Sequence, residues 1–332
     1  MVSVDYDPRL LSADIRLPDE LLQFELAPNM KLVHEMPKKS VLAMSTFYRP
    51  RDDGTWDPVI QMRAQLALNS IALAKDAGYR VLCVDEFSDA GWRTEARDRG
   101  ADVRDPDFEK YSVGTSNMGR CRRQAIDLAC QIDGRTIGII IEPEKHPAVR
   151  AANGSLLLAM ASTPIHEGLA DFVIPRRADN GNSYPAVQQF MERAGNAVTQ
   201  NLLFAYALQR KMAPEQAADF SQYLDHFFGA KMFRIGDNEK HFRDYAALAQ
   251  EDSKFNDQWG SVHYPPIMAL LAGRTVRGVA IDYKHPQEQT AMEGRNLRMD
   301  MKRYEQGTQL TQTLALLLNR DLKARGLAEL VI

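Results

Sequence analysis

The sequence predicts an α/β fold in which a mostly parallel central sheet has helices on both faces. Two observations lead to this prediction. First, short runs that are apolar at every position alternate with longer stretches of helical spacing, which is the pattern of parallel strands covered on both sides. Second, 332 residues with 45% hydrophobic and 26% charged content are enough for one large domain or two modest ones.

In the first half of the chain, apolar strands are separated by amphipathic helices. The clearest helix lies between Asp57, an N-cap residue followed by proline, and Gly78, where the apolar periodicity stops. The predicted elements are a strand at 41–47, that helix, a strand at 80–86, a helix at 122–132 and a strand at 136–141. Ligands of such sheets bind beyond the carboxyl ends of the strands, so the residues after each strand are the candidates for function.

The second half continues the alternation and ends in a long helix. The predicted elements are a helix at 155–162, a strand at 170–177, a helix at 185–211, a glycine-containing turn at 227–234, a strand at 276–283 and a helix at 300–325. No linker is long enough to force a cut between domains. We predict one domain in two halves, 37–150 and 151–299, with an N-terminal arm at 1–36 and a C-terminal helix at 300–332.

Composition excludes several classes of protein. The formal net charge of −3 provides no basic field for nucleic acid or an anionic membrane. The three cysteines, Cys83, Cys121 and Cys130, cannot all pair, so we expect no disulfide scaffold and a reducing compartment. The N-terminus has charges where a signal peptide needs an apolar run, and no apolar stretch approaches the roughly 20 residues of a membrane span. We predict a cytoplasmic protein.

Two glutamates, Glu142 and Glu144, directly follow a buried strand and are separated by one proline. An extended backbone there aims both carboxylates toward one point, and Mg²⁺ or Mn²⁺ prefers such oxygen ligands and bridges diphosphates. The alternative is a surface turn in which one glutamate caps a helix and Lys145 neutralises the pair. His285, after the late strand, suits a third metal position if it is neutral, or else is structural.

Three arginines, Arg120, Arg122 and Arg123, stand at the start of the helix that precedes this strand. Cations at a helix N-terminus oppose the macrodipole, so an anion should compensate them. A phosphate held by guanidinium groups and helix N–H groups would do so. The alternative counter-charges are the carboxylates of Asp107, Glu109 and Asp127.

Four segments, taken in order, resemble the nucleotide-sugar half of glycosyltransferases with the GT-A fold. They are the strand at 41–47, VDEFSDAG at 84–91, GRCRRQAIDLA at 119–129 and IIIEPEK at 139–145. The last three are similar to the family's V-D-D-G-S-x-D, its G-R-A-R-N-x-G-x-x-x-A and its D-x-D metal motif. The resemblance implies a GT-A-like, Rossmann-type sandwich with a mostly parallel sheet and a helical C-terminal extension.

The resemblance also implies roles for single residues. Asp85 would contact the nucleobase, although an Asx turn is its alternative role. Arg122 would contact the diphosphate, and Arg123 stands where asparagine is usual. Glu142 and Glu144 take the place of the metal-binding aspartates, and their longer side chains leave the dependence on Mg²⁺ or Mn²⁺ open.

Later segments match more loosely. The turn at 228–234 is similar to the acceptor-side turn of these enzymes. Asp257 stands where inverting members carry an acid pair, with Asn256 in place of the first acid. His285 occupies the position of the late-strand histidine that completes the metal site in glucosyl-3-phosphoglycerate synthase-like members, which retain configuration and need no enzymic base. Inverting and retaining chemistry both stay open.

The leading hypothesis is a metal-assisted glycosyltransferase that moves a hexosyl group from a nucleotide-diphosphate sugar to a small polar acceptor. Thr46 and Asp85 would hold the nucleobase. Arg120 and Arg122 would stabilise the leaving diphosphate together with the cation. If the enzyme inverts, Asp257 would take the acceptor proton.

The acceptor side is less defined by sequence. Arg176 and Arg177 would orient an acidic or phosphorylated acceptor, unless they are simply exposed arginines. The apolar face of the C-terminal helix suits either a homodimer or its own core, and both stay open. In this scheme the half at 37–150 binds the nucleotide-sugar and the half at 151–299 binds the acceptor.

Two other functions stay as alternatives. The altered acidic motif fits a catalytically inactive GT-A-like protein that binds nucleotide or acts as a scaffold. A sugar-1-phosphate nucleotidyltransferase is less favoured, because the segment at 45–54 lacks a glycine-rich phosphate loop. A dinucleotide-binding domain is disfavoured because no G-x-G-x-x-G follows any predicted strand.

Overall fold

The computed structural model describes residues 29–330. Most of the predicted N-terminal arm, and the last two residues of the predicted C-terminal segment, therefore lie outside the described residues. The strands are β1 (Ser40–Thr46), β2 (Arg80–Asp85), β3 (Ala101–Arg104), β4 (Ile137–Ile140), β5 (Phe172–Arg177), β6 (Lys231–Arg234) and β7 (Val276–Ile281). The helices are α1 (Met36–Lys39), α2 (Pro58–Ala77), α3 (Ala90–Asp98), α4 (Asn117–Cys130), α5 (His146–Val149), α6 (Leu157–His166), α7 (Ala186–Gln209), α8 (Pro214–Phe220), α9 (Lys240–Glu251), α10 (Asp257–His263), α11 (Pro265–Leu271), α12 (Gln287–Glu293) and α13 (Leu297–Ala324).

The strands between residues 29 and 330 form one seven-stranded sheet in the order β3-β2-β1-β4-β6-β5-β7. Neighbouring strands are parallel except β6, which runs antiparallel to both β4 and β5. The predicted mostly parallel α/β sheet with a helical C-terminal extension is confirmed. Because β6 is reversed, its first residues lie at the same edge as the last residues of the parallel strands.

The apolar strands are buried on both faces, as their sequence predicts. In β1, Leu42 and Met44 join a core cluster that includes side chains of α2 and α6, whereas Val41 and Ala43 pack with α4 on the other face. Alternate side chains of a strand point to opposite faces, so a strand with helices on both sides is apolar at every position. This packing fixes the strand ends relative to the helices that carry the charged side chains.

The predicted helix between Asp57 and Gly78 is confirmed as α2. The Asp57 carboxylate accepts hydrogen bonds from the backbone N–H groups of Val59 and Ile60, and Pro58 is the first helical residue. Gly78 follows the last turn with a φ of 93°, a left-handed conformation that suits glycine. These local signals set the position of α2 beside the sheet.

Several helices of the second half were not predicted, and neither were two features of the sheet. Helix α3 and strand β3 form an additional unit at one edge of the sheet. The segment predicted as a turn at 227–234 is a turn only in its first part, because its last four residues form β6. A four-residue strand that begins with Lys231 and ends with Arg234 lacks the long apolar run by which the other strands are recognised.

The C-terminal helix α13 packs along α7. Five of its leucines lie inside a core cluster shared with α7, α9 and α11, namely Leu310, Leu314, Leu317, Leu318 and Leu322. The apolar face on which a homodimer was considered is therefore covered by the chain's own helices. No helix in the described part of the chain has the length and apolar character needed to cross a bilayer.

Candidate functional site

A cleft of about 250 Å³ opens at the carboxyl ends of β1 and β4. Thr46 contributes from the end of β1, and Glu142 and Glu144 contribute from the segment after β4. The turn before β6 approaches from the other side at Gly229. A Cβ atom on Gly229 would lie only 2.7 Å from Cδ of Glu142, so glycine allows the backbone to close over this carboxylate.

The Glu142 carboxylate is paired with a lysine of its own turn. Its Oε2 atom lies 3.0 Å from Nζ of Lys145. Burial would raise the pKa of Glu142, but the charges of Lys145 and Arg303 outweigh burial and hold that pKa well below its usual range. Glu142 is therefore ionised at neutral pH, and the lysine is its nearest cation.

Glu144 is more deeply buried, with 4% of its surface exposed. Its Oε1 atom accepts hydrogen bonds from the Tyr48 hydroxyl at 2.7 Å and from Nε of Arg63 at 2.9 Å. Burial would lower the pKa of Arg63, but the charge of Glu144 outweighs this and holds the arginine pKa above its usual range. The carboxylate and the guanidinium form an ion pair that joins the turn after β4 to α2.

His285 lies behind the cleft rather than in its lining. Its Nδ1 is 2.8 Å from Oγ1 of Thr290, and its ring centroid is 4.1 Å from that of Tyr184. Burial and the charges of Lys145 and Arg303 lower the pKa of His285 to about 2, so the imidazole is neutral. A neutral histidine is a competent metal ligand in principle, but this one is packed on an aromatic ring.

The three predicted metal ligands are not brought together. Within residues 29–330, no group of three or more His, Cys, Asp or Glu side chains is arranged to hold a metal ion. Glu142 and Glu144 each have a protein cation at hydrogen-bond distance, and His285 is turned to Thr290. The arrangement of these residues does not fit a resident Mg²⁺ or Mn²⁺ ion.

Asp85 supports Thr46 instead of facing the cleft. The fully buried Asp85 carboxylate accepts hydrogen bonds from Oγ1 of Thr46 at 2.7 Å and from the hydroxyl and backbone N–H of Ser88. Nε of Arg93 lies 3.3 Å away. The bond from the backbone N–H of Ser88 closes a local turn, but it spans three residues, one more than the Asx turn that was the alternative role of Asp85. Of the predicted nucleobase pair, Thr46 alone lines the cleft.

Of the three arginines at the start of α4, Arg122 alone lines the cleft. Nη1 of Arg122 donates to the backbone oxygen of Gln258 and to Oγ of Ser261. Arg120 donates instead to the backbone oxygen of Gly114 at 2.9 Å. The carboxylates considered as counter-charges for this cluster are not the partners of these two side chains.

Arg123 and Asp257 form a buried ion pair away from the cleft. Nη1 of Arg123 lies 2.6 Å from Oδ1 of Asp257, and Oδ2 of the aspartate accepts from the backbone N–H groups of Thr115 and Ser116. A Cβ atom on Gly119 would lie 2.4 Å from that oxygen, so glycine is required for this approach. The geometry gives Asp257 a role in joining α4 to α10, and no position from which it reaches an acceptor in the cleft.

Arg177 is held in a second buried network. Its Nε and Nη2 atoms donate to the two carboxylate oxygens of Asp225 at 2.6 and 2.7 Å, and Nη1 donates to Glu192 at 2.6 Å. Arg176 is half-buried, with its guanidinium 5.7 Å from the ring centroid of Tyr223. Neither arginine lines the cleft, so the predicted acceptor-binding pair is not brought together with the other site residues.

Residues that sequence reasoning missed supply most of the cleft's positive charge. Arg63 comes from α2, and Lys302 and Arg303 come from α13. Nη2 of Arg303 lies 3.4 Å from the buried Glu293, while Nζ of Lys302 lies 5.1 Å from the ring centroid of Trp259. Nothing in the local sequence marks these positions, because each is an ordinary polar residue on a helix.

The lining of the cleft carries more positive than negative charge. Its cations within the described residues are Arg63, Arg122, Lys302 and Arg303, and its carboxylates are Glu86, Glu142 and Glu144. Burial lowers the pKa of His263, which also lines the cleft, to about 3, so it adds no charge at neutral pH. A concave site with several cations at strand ends favours an anionic ligand.

Comparison with known proteins gives similarity in structure alone. No family model matches the chain, and no curated protein matches it. Solved structures do match, and they include mannosyl- and glucosyl-3-phosphoglycerate synthases. One is mannosyl-3-phosphoglycerate synthase from Rubrobacter xylanophilus, with 18% identity and a TM-score of 0.46 over 92% of this chain and 81% of that chain.

Two others are structures of glucosyl-3-phosphoglycerate synthase from Mycobacterium tuberculosis. The complex with Mn²⁺, UDP and phosphoglyceric acid matches at 12% identity and a TM-score of 0.40, over 82% of this chain and 80% of that chain. The complex with Mn²⁺, UDP and glucosyl-3-phosphoglycerate matches at 12% identity and a TM-score of 0.42, over 82% of each chain. At these values none of the similarities assigns a residue or an activity to this chain.

Proposed function

We propose that this protein is a glycosyltransferase that moves a sugar from a nucleotide-diphosphate sugar to a small polar acceptor. The observation that carries the proposal is the convergence of four cationic side chains, from α2, α4 and α13, on one cleft at the strand ends. A diphosphate is the group in such a donor that needs this charge, both when it binds and when it leaves.

The proposed donor lies along the cleft with its nucleoside near the end of β1. Thr46 and Glu86 line that part, and Asp85 fixes the Thr46 hydroxyl by accepting its hydrogen bond. The diphosphate then lies near Arg122 and the two cations of α13. Trp259, beside Lys302, covers this region with an apolar surface that limits the access of water.

In the proposed reaction, the bond between the anomeric carbon and the diphosphate oxygen breaks, and both electrons go to that oxygen. The acceptor hydroxyl oxygen forms the new bond to the anomeric carbon, and its proton passes to the released diphosphate. No base is required from the protein, which agrees with Asp257 being held by Arg123. The cleft cations stabilise the charge that develops on the leaving group.

Metal assistance by Mg²⁺ or Mn²⁺ was part of the sequence prediction and is not retained in this proposal. For an ion to bind at Glu142 and Glu144, both carboxylates would have to release their present partners, Lys145 and Arg63. The proposed function therefore contains no step through a metal ion. The acceptor is proposed only as a small polar molecule.

The test is a donor screen with UDP-, GDP- and ADP-sugars, read by mass spectrometry for release of the nucleoside diphosphate. It is run with Mn²⁺ and with EDTA, and with a panel of small polar acceptors that includes phosphoglyceric acid, which is present in one of the Mycobacterium tuberculosis complexes described above. We expect one nucleotide to be released, faster with one acceptor than without. Tight nucleotide binding without any release would favour the catalytically inactive relative. The absence of both binding and release would refute the proposal.

A further inference from the structure

We propose that Arg63, Lys302 and Arg303 take the place of a divalent cation at the diphosphate, so that nucleotide binding and sugar transfer do not depend on metal. This inference rests on the proposed function and deepens it, because it concerns how the same cleft holds the same leaving group. Three observations support it: the partners of the acidic pair, the charge of the lining, and the anchoring of the α13 cations.

The first observation is that protein cations already occupy both glutamates after β4. Lys145 pairs with Glu142 at 3.0 Å, and Arg63 pairs with Glu144 at 2.9 Å. A divalent ion placed between these carboxylates would stand next to an ammonium and a guanidinium group, and like charges repel at such distances. It would also leave Arg63, which is largely buried, without the carboxylate that compensates its burial.

The second observation is the sign of the charge around the cleft. A site that awaits a divalent cation presents uncompensated carboxylates, because these are the ligands that the ion needs. Here the lining has four cations against three carboxylates before any ligand binds. Behind the lining, Lys145 and Glu293 add one charge of each sign. The surplus positive charge is itself available to an anionic diphosphate.

The third observation is that protein groups contact both α13 cations, with Nζ of Lys302 lying 5.1 Å from the ring centroid of Trp259. Arg303 is oriented by Oε2 of Glu293 at 3.4 Å and by Oε1 of Gln306 at 3.2 Å. Its Nε atom is buried and has no hydrogen-bond partner among the described residues. Burial and the charges of Arg63 and Arg303 lower the pKa of Lys302 to about 8, so this lysine is still mostly protonated at neutral pH. Preorganised cations of this kind stabilise developing charge without reorganisation.

The first experiment measures binding of UDP, GDP and ADP by titration calorimetry, once in EDTA and once in Mn²⁺. We expect the best nucleotide to bind with dissociation constants that agree within about twofold in the two buffers. Binding that is tenfold or more tighter with Mn²⁺ would overturn the inference while leaving the proposed function in place. Absence of binding to every nucleotide in both buffers would instead refute the proposed function, and this inference with it.

The second experiment removes the cations of α13 one at a time. Arg303→Gln and Lys302→Gln should each weaken nucleotide binding in EDTA by about 10- to 100-fold, the range expected for a charge-assisted hydrogen bond. Arg320→Gln and Lys323→Gln are matched controls on the exposed side of the same helix. They should change the nucleotide dissociation constant by less than twofold. Equal effects of test and control variants would overturn the inference.

Folding of the variants is checked by circular dichroism and thermal unfolding. Lys302 is only partly buried and forms no ion pair in the structure of residues 29–330, so Lys302→Gln should fold even if Arg303→Gln does not. Arg303→Lys retains the charge but loses the planar fork, and should bind nucleotide with intermediate affinity. If Mn²⁺ restored the nucleotide dissociation constant of Lys302→Gln to the wild-type value, an ion would be able to act at this place. That result would contradict the inference.

Discussion

Two groups of charged side chains lie at the ends of the parallel strands, and they are satisfied in different ways. Around Arg177, at the end of β5, the guanidinium donates to both oxygens of Asp225 and to Glu192, and all three side chains are buried. Around Glu142 and Glu144, at the end of β4, each carboxylate also has a cation, but further cations line an open cleft.

The difference separates a structural role from a binding role for the same residue types. In the Arg177 network, carboxylates of the protein balance the positive charge. Because these carboxylates come from different elements, the network joins β5 to α7 and to the segment before β6. In the cleft the positive charge exceeds the negative charge, and a ligand is needed to balance it. A cluster of cations therefore indicates a binding site for an anion only when its positive charge exceeds the negative charge of the protein carboxylates beside it.

The largest expected effect is the loss of stability caused by Asp225→Ala, which tests the structural role of the Arg177 network. It removes the partner of two guanidinium nitrogens of Arg177 and leaves a buried charge with one remaining carboxylate. We expect the free energy of unfolding to fall by about 3–5 kcal/mol, as for other buried pairs that lose one member. Urea denaturation followed by circular dichroism measures this loss.

Asp237→Ala is the control, since the Asp237 side chain is 83% exposed. This variant should leave the free energy of unfolding nearly unchanged. Loss of nucleotide binding with unchanged stability would contradict the structural role.

A somewhat smaller loss of stability is expected for Asp257→Asn. The amide keeps the shape of the side chain but removes the charge that compensates Arg123, so we expect a loss of about 2–4 kcal/mol in the free energy of unfolding. Activity at a temperature where the variant is folded should stay within about threefold of the wild type, because the aspartate does not reach the cleft. A large fall in kcat with unchanged stability would restore Asp257 as the catalytic base.

The pH dependence of stability sharpens the comparison further, because two buried imidazoles are held neutral while the Glu142 carboxylate in the cleft is held ionised. Burial lowers the pKa of His263 to about 3 and that of His285, with help from Lys145 and Arg303, to about 2. In the unfolded chain both would titrate near 6.5. The unfolded state therefore binds more protons below that pH, and stability must fall as the pH decreases from 6.5.

Between pH 6.5 and pH 5 each of these histidines should reduce the free energy of unfolding by about 2 kcal/mol. Denaturant titrations at several pH values measure how the free energy of unfolding changes with pH. His263→Gln should remove about half of the part of this pH dependence that the two histidines contribute. Glutamates contribute little in this window, because their ordinary pKa values lie lower. Stability that does not change between pH 7 and pH 5 would show that these rings accept protons in the folded protein.

The sequence predicted the parts of the fold that have strong local signals. Strand β4 is apolar throughout, β1 and β2 have apolar central runs, and α2 has an N-cap at Asp57 and a stop at Gly78. Strand β6 was missed because it is short and begins with Lys231, whose buried side chain looks like a surface residue in the sequence. Its reversed direction is set by the neighbours on either side, which no local pattern records.

The candidate site was predicted only in part for a related reason. Sequence placed Thr46, Arg122, Glu142 and Glu144 at strand ends or at a helix start, and all four line the cleft. It could not show that Arg123 and Asp257, each of interest as a separate motif residue, would meet and neutralise one another. The cations of α2 and α13 belong to polar helix faces, and which of those residues faces a cleft depends on how the helices pack.

The position of α13 along the chain has a consequence for biosynthesis. Arg63 lies in the second helix of the described chain, whereas Lys302 and Arg303 lie in the last. During translation the sheet and the acidic turn after β4 are complete before the last helix leaves the ribosome. A nascent chain that ends before α13 has the carboxylates of the cleft without two of its cations, so the cleft has its full set of described cations only after α13 has been made.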